Sequence, residues 1–398
     1  MSGLFKNQEK RRIEAIDFLR GIAIIGILLV NMIDFHSPYL YIKNDYWNSK
    51  WDTVTSNIID IFAQSSFYPL FAFLFGFGAA ILAKNTTERG NHFPLLFIRR
   101  LILLLVIGAM HAFLIWHGDI LITYALCGFF ILLVYKLPGK TLLWVSLCLY
   151  LIPYGLLGIG AIFITILHPD TSIMGTDWKM AAQSLVVYGQ GTYLEIFQQR
   201  TDDWLLVNGP GNFLFLFFSI YPFMVAGMGF AKLNWLRDVK IHRKKLLVML
   251  WISAIAGMVL KILPYWLQHN YASEFIQDTF GGPILSLAYI TSITLLYDHF
   301  SGFGRWGVPF ISLGRMSLTN YLAQSLIGTM IFYSYGLGYY GRIGVFAGTL
   351  LVVIIIIFQM FFSTYWLRYY RFGPIEYGWR IFTYWKKQPL KRKEQVFK

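Results

Sequence analysis

Two stretches of this chain carry the residues best suited to chemistry. In the first, Asp17 and Arg20 stand three apart and Asn31 follows eleven residues beyond Arg20; in the second, Arg99 and Arg100 precede His111, again eleven beyond Arg100. Eleven residues of helix make about three turns and a rise of roughly 16 Å, so each arginine shares a face with the polar group above it. A guanidinium binds phosphate oxygens well. An imidazole titrates near neutrality and can take a proton from a hydroxyl or an amine, and an amide can orient reactants or stabilise an oxyanion. If the two arginines mark one depth, Asn31 and His111 share a level and one cavity. Asp119 closes the tight turn Trp116-His117-Gly118-Asp119, where it can cap the next helix or fix the imidazole tautomer. Tyr124, one to two turns deeper, can donate to the same pocket. Ser317, Asn320 and Gln324 fall at helical spacing on one face, as a pocket wall or as a helix contact. Each of these polar groups also has a structural reading, as glue between helices or an orienting ion pair. No metal is expected: Cys127 and Cys148 both fall in apolar runs, which argues against a thiolate site or a structural disulfide.

The elements that must position these residues are membrane helices. Of 398 residues, 57% are hydrophobic, 18% aromatic and 14% charged, too apolar for a soluble domain of this length. Ten runs are long enough to cross a hydrocarbon core of about 30 Å, approximately 18–35, 57–83, 97–116, 119–135, 141–167, 208–231, 246–267, 280–297, 308–334 and 344–367. The expected fold is all-α, one polytopic bundle of about ten transmembrane helices. It has a basic N-terminus (1–17), a five-helix half (18–167), an outer loop or cap (168–207), a second five-helix half (208–367) and a basic tail (368–398). With both termini on one side, that side carries 28 of the 34 Lys and Arg, which places the termini in the cytoplasm. The net charge of +14 then reads as a topology signal and an attraction to anionic lipid headgroups, not as a nucleic-acid surface. Lys261 lies within a span, from which its stem is expected to reach the nearer interface. The first run, though preceded by Lys10-Arg11-Arg12, is longer than a secretory signal core and is expected to be retained. Pro69, Pro153, Pro222 and Pro264 mark possible kinks, and Glu376 and Arg380, at i and i+4, suggest a juxtamembrane helix docked on the cytoplasmic face.

These residues also carry a resemblance. Asp17-Phe-Leu-Arg-Gly-Ile-Ala, Pro69-Leu-Phe-Ala-Phe-Leu-Phe-Gly-Phe-Gly78, Arg99-Arg100, His111 with Gly118-Asp-Ile-Leu121, Gly314-Arg-Met-Ser-Leu-Thr-Asn-Tyr321 and Gly373-Pro-Ile-Glu376 together resemble the YeiB-like proteins, a bacterial inner-membrane family with domain of unknown function 418. The amino-terminal half is similar to the transmembrane acyltransferase superfamily, which includes heparan-α-glucosaminide N-acetyltransferase and the polysaccharide O-acyltransferases. Their shared opening is carried here by Asp17, Arg20, Gly21 and Ala23; Asn31 and Asp60 match the heparan type, which makes Asp60 a pocket candidate. The resemblance implies an acyl-CoA bound from the cytoplasm as co-substrate and an acceptor at the outer face, a small molecule, a lipid or a glycan. Where the O-acyltransferases carry a histidine late in the first helix this chain has Asn31, so the base is assigned on depth to His111, with His36 second. In that reading Arg20, Arg99 and Arg100 bind donor phosphates, Asp17 orients Arg20, and Asn31 assists at the reacting carbonyl. The alternative is a transporter or flippase using the same cavity, with His111 and Asp119 as a proton relay. A third reading is a non-catalytic module whose polar groups only join helices.

Overall fold

A computed structural model describes residues 2–42, 46–168, 176–267 and 269–392, with residues 2–13 and 302 described by their backbone alone. Lys43, Lys393, the side chains of Lys10, Arg11 and Arg12 and the start of the expected cap, 169–175, lie outside the described residues.

Backbone polar groups in a bilayer must be satisfied within the chain, so continuous apolar sequence becomes helix. All ten expected runs are helical. In chain order the helices are α1 (Ser2–His36), α2 (Lys50–Phe62), α3 (Phe67–Glu88), α4 (Phe93–Leu114), α5 (Leu121–Val134), α6 (Gly139–Leu167), α7 (Trp178–Gln190), α8 (Tyr193–Asn208), α9 (Phe213–Lys232), α10 (Val239–Leu267), α11 (Tyr271–Ile276), α12 (Gly282–His299), α13 (Val308–Arg315), α14 (Ser317–Phe332), α15 (Val345–Tyr369) and α16 (Pro374–Tyr384). No strand occurs among the described residues, only an isolated bridge between Tyr370 and Lys391. The protein is an all-α polytopic helix bundle.

Among the described residues, eight helical stretches are long and apolar enough to cross a membrane. The two other expected spans differ from expectation. The 119–135 run is a 14-residue helix, about 21 Å long at 1.5 Å per residue, and the 308–334 run is broken at Met316 into α13 and α14. The 57–83 run is also interrupted, at Ala63–Ser66 between α2 and α3, where Ser65 adopts φ 59°. Pro69 falls in the first turn of α3, where a proline needs no kink, while Pro153, Pro222 and Pro264 lie inside helices. The outer segment is helical, with α7 capped by Asp177 and α8 by a reciprocal Thr192–Glu195 capping box.

At the centre α3 packs on α9, which in turn packs on α6; α10 packs on α12 and α1 on α13. The α1–α13 crossing depends on Gly21 and Gly314, where a Cβ would collide with the carbonyls of Phe310 and Asp17. This approach brings Arg315 beside Asp17 and Arg20. The starts of α1 and α4, the Met316 break and α16 therefore gather at one end, the basic end. The α1–α2 connection, the α4–α5 turn, α7 and α8 form the opposite, far end.

Lys261 does not reach an interface. It is fully buried, with Nζ donating to the Gln64 carbonyl at 3.2 Å and lying 3.6 Å from Asp278 Oδ1. The α2–α3 break frees the Gln64 carbonyl from a helix partner, and the ammonium is held there instead. Lys261→Met strips Asp278 of its cation and is expected to cost on the order of 3 kcal/mol, read as a lower unfolding temperature in detergent. The double variant Lys261→Met, Asp278→Asn should recover part of that loss; a single variant as stable as the wild type would refute the pairing.

Candidate functional site

Between α1, α3, α4, α5, α14 and α16 the basic end opens into a cavity of about 520 Å³. Its mouth holds five arginines, Arg20, Arg100, Arg315, Arg371 and Arg380, against three carboxylates, Glu14, Asp17 and Glu376. Asp17 holds Arg20, Oδ1 to Nη1 at 2.9 Å, and Gly78 leaves room for the guanidinium, because a Cβ there would stand 3.2 Å from Nη2. The other arginines are seated on aromatic faces and carbonyls. Arg100 lies 4.0 Å over the Trp379 ring, whose Nε1 donates to the Arg100 carbonyl at 3.0 Å. Arg380 lies 4.2 Å over Phe372, and Arg315 Nη2 donates to the Arg371 carbonyl at 3.1 Å. Glu376 is committed elsewhere: Oε1 accepts the backbone N–H groups of Leu318 and Thr319 at 2.9 and 3.0 Å, and Oε2 accepts the Thr319 hydroxyl. It caps the first turn of α14, where the helix dipole favours a negative charge. Among the described residues no carboxylate comes within 4.0 Å of Arg100, Arg315, Arg371 or Arg380.

Deeper in, the wall turns apolar and aromatic, with Phe71, Phe75, Leu104, Leu121, Tyr124 and Tyr321. Tyr124 donates to the Tyr68 carbonyl at 2.9 Å. Tyr321 closes the top: its hydroxyl donates to the Gly118 carbonyl at 3.2 Å and its ring lies 5.0 Å from that of His111. His111 stands behind this partition, with Nδ1 2.8 Å from Asp119 Oδ1 and both side chains buried. The other carboxylate oxygen of Asp119 accepts the Ile122 N–H at 2.8 Å. One residue therefore does both things its position allowed, capping α5 and orienting the imidazole. A carboxylate on Nδ1 keeps the ring proton there, so Nε2 carries the lone pair; Nε2 is buried without a hydrogen-bond partner among the described residues.

Several expected partners are not brought to this cavity. Neither Asn31 nor His111 lines it, and the two do not meet: α1 packs on α13, α14, α3 and α15, whereas α4 packs on α5, α16, α8 and α3. The Trp116 ring lies 6.3 Å from that of His111 and 4.2 Å from that of Phe35 near the end of α1. Arg99 points away, over the Trp385 ring at 5.8 Å, because consecutive helix residues lie about 100° apart and only one can face the cavity. Asp60 bonds to Tyr265 and Gln277 beside the α2–α3 break. Of the stripe on α14, Ser317 lines the cavity, but Asn320 donates to the Leu313 carbonyl and to Ser363, and Gln324 pairs with Gln359 of α15. His36 is fully buried against Gly348 and Phe332, does not line the cavity, and has both ring nitrogens without a hydrogen-bond partner among the described residues.

A second polar cluster, to which the sequence alone assigns no role, lies at the far end. Asp203 of α8 accepts the hydroxyls of Tyr41 and Tyr188 and the Gln199 amide, the last two at 2.6 and 2.7 Å. His117 sits between Asp34, Nε2 to Oδ2 at 3.2 Å, and Asp203, Nδ1 to Oδ2 at 3.9 Å. A signal for it is present in the sequence, since Gln199, Arg200 and Asp203 share one face of α8 opposite Leu194 and Leu205. At the basic end the sequence likewise leaves Arg315, Arg371 and Glu376 without a place in the cavity, although Glu376 follows the Gly373-Pro374 helix start.

The family described as "Protein of unknown function (DUF418)" matches residues 230–386, the part of the chain that holds Arg315, Tyr321, Arg371, Glu376 and Arg380. Over 419 aligned positions the chain is 37% identical to the uncharacterized protein YxaH of Bacillus subtilis, covering 100% of both. It is 30% identical to the uncharacterized protein YeiB of Escherichia coli, covering 92% of this chain and 95% of that one. An uncharacterized 39.9 kDa protein from the amylase 3' region of Bacillus acidopullulyticus is 28% identical over 97% of each.

The far-end cluster makes stability depend on pH. Burial disfavours the His117 imidazolium, but Asp34 and then Asp203 outweigh it and hold the group above its ordinary 6.5, against a smaller opposing effect of Arg200. A raised pKa in the folded state contributes stability that is complete below the unfolded value and is lost as pH rises through the folded one. The unfolding temperature in detergent should therefore fall above pH 6.5 more steeply for the wild type than for His117→Asn. Parallel profiles for the two proteins would remove the imidazolium from this cluster.

Proposed function

We propose that this chain, which belongs to the YeiB-like DUF418 family, is an acyltransferase of the bacterial cytoplasmic membrane. It moves an acyl group from a cytoplasmic acyl-CoA to an acceptor at the opposite face. The observation that carries the reading is the form of the cavity: it opens among arginines without carboxylate partners and ends under Tyr321, behind which the His111–Asp119 pair presents an unpartnered Nε2. A donor with an anionic head and an apolar acyl arm matches that gradient from charged mouth to aromatic roof. The bias of positive charge toward the basic end supports a cytoplasmic position for this mouth.

In the proposed reaction Arg100, Arg315, Arg371 and Arg380 hold the donor phosphates, and the acyl arm extends toward Tyr321. With the Tyr321 partition displaced, His111 Nε2 takes the proton of the acceptor hydroxyl or amine as its oxygen or nitrogen bonds to the thioester carbonyl carbon. The carbon–sulfur bond then breaks, and the leaving thiolate receives that proton from Nε2. The products are an acyl ester or amide and the CoA thiol, and the imidazole returns neutral. Asp119 stabilises the imidazolium in between. Asn31 has no part in this scheme.

The test is labelled acyl-CoA supplied to the basic face of proteoliposomes. Acylated product and free CoA are expected, with His111→Gln slowing turnover about 10²- to 10⁴-fold while donor binding persists. Arg100→Ala should weaken donor binding by roughly tenfold or more, as loss of a charged hydrogen bond does. Unmodified substrate crossing the membrane without any acyl product would establish transport instead, and no CoA binding would end the proposal.

A further inference from the structure

The cap helix α8 is built with its polar side inward. Ile196, Gln199, Arg200 and Asp203, at i, i+3, i+4 and i+7, are buried, while Leu194, Leu205 and Leu206 are exposed. The exposed side also carries Glu195, Gln198 and Asp202 and is mixed in character, and the polar side chains buried on the inner side must find partners within the protein or in a ligand. Asp203 has found them in Tyr41, Tyr188 and Gln199. Arg200 has not. The residue is 0% exposed. Nη1 donates to the Phe113 carbonyl at 2.9 Å, which satisfies the end of α4, but Nε and Nη2 have no hydrogen-bond partner among the described residues. That edge of a guanidinium offers two parallel N–H groups, the fork that fits the paired oxygens of a carboxylate or phosphate. No described carboxylate lies within 4.0 Å of Arg200.

Other orphaned donors surround it. The Tyr333 hydroxyl is buried and unpartnered, and it lies within the electrostatic reach of Arg200; the Tyr333 ring stacks on Tyr188 at 4.4 Å. Trp204, one turn along α8, has an unpartnered Nε1 and packs its ring 5.1 Å from Phe113. A fully buried cation with two unsatisfied N–H groups, near a buried hydroxyl that also lacks a partner, calls for an acceptor-rich anion. The Phe113 carbonyl that anchors Arg200 is two residues beyond His111, so an anion on the free edge is held at the same end of α4 as the imidazole.

We propose that Arg200 Nε and Nη2, together with the Tyr333 hydroxyl, form a site under the cap for an oxyanion, a carboxylate or phosphate carried by the molecule that receives the acyl group. The assignment of this ligand as the acceptor rests on the acyl-transfer reading; the site itself does not. The acceptor is then an anionic compound with a free hydroxyl or amine. Its oxyanion can come from a water-soluble molecule or from the headgroup of a lipid.

The full-length protein in lipid-free detergent micelles is titrated with inorganic phosphate and with acetate at constant ionic strength, and the unfolding temperature is followed. A saturable rise is expected for the wild type, with half-saturation at least tenfold higher in Arg200→Lys, which keeps the charge and loses the fork, and several-fold higher in Tyr333→Phe, which removes one hydroxyl from a folded protein. In parallel, the protein in phosphatidylcholine nanodiscs with added phosphatidylglycerol is analysed by native mass spectrometry. An Arg200-dependent response to phosphate or acetate identifies a soluble source, and Arg200-dependent retention of phosphatidylglycerol alone identifies a lipid headgroup; either supports the site. No response in either arm, a response unchanged in both variants, or one abolished only by Arg100→Ala overturns it. CoA binding on the same samples separates the two readings. Its absence alongside an Arg200-dependent anion removes acyl transfer and keeps the site, whereas CoA turnover without such an anion removes the site alone.

Discussion

A helix that begins inside a bundle exposes backbone N–H groups that no water can satisfy, and this protein meets that constraint with carboxylates. Glu376 reaches from α16 to the first turn of α14, Asp119 turns back on α5, and Asp52 of α2 accepts the Phe346 N–H at the start of α15 at 2.9 Å. Each cap also places something else. Glu376 fixes α16, and with it the Trp379 seat of Arg100 and the arginines of the tail. Asp119 spends its second oxygen on His111. The helix breaks that shorten two of the expected spans are thus the same features that assemble the mouth and the imidazole behind its roof.

What is legible in the sequence follows from what helical spacing encodes. Spacing gives height and face, and on those terms Asp17, Arg20, Arg100, Tyr124 and Ser317 all reach the cavity. It does not give lateral neighbours. Asn31 and His111 are expected at one depth from spacing alone, and neither lines the cavity. Asn320 and Gln324 read equally as wall or contact, and the deciding residues, Ser363 and Gln359, lie some forty positions away on α15. Lys261 departs from expectation for a related reason: a snorkelling stem is the default for a lone lysine, and the break that supplies a free carbonyl 197 residues earlier leaves only a weak mark in the sequence.

The seats of the arginines are informative in themselves. A carboxylate partner would neutralise a guanidinium, whereas an aromatic face attracts it by about 0.5–2 kcal/mol and leaves its charge in place. Arg100 on Trp379 and Arg380 on Phe372 are held this way. The nearest acid, Glu376, is engaged by three donors of α14. The mouth is therefore fixed in geometry yet still cationic, the condition under which a phosphate-bearing ligand gains the most from binding. Arg200 at the far end repeats the arrangement with a carbonyl as its seat and Tyr193 5.7 Å from the guanidinium.

Between these two cationic ends the barrier is Tyr321. It donates a neutral hydrogen bond at 3.2 Å, worth about 1 kcal/mol, approaches the His111 ring, worth roughly 0.5–1.5 kcal/mol, and is itself buried in the central apolar cluster. Each charge-assisted hydrogen bond that a ligand makes at the mouth contributes about 1.5–3 kcal/mol. Several such bonds together are needed to offset the hydrogen bond, the ring contact and the packing that moving Tyr321 gives up. Opening the far end to make a passage is a different matter, because Phe35, Trp116, Tyr188, Phe332 and Tyr333 are buried in one cluster, and large buried aromatics are costly to separate. An acceptor that reaches His111 from the far side meets the same cost as a transported molecule, so Tyr321 is the one partition that ligand binding at the basic end acts on directly.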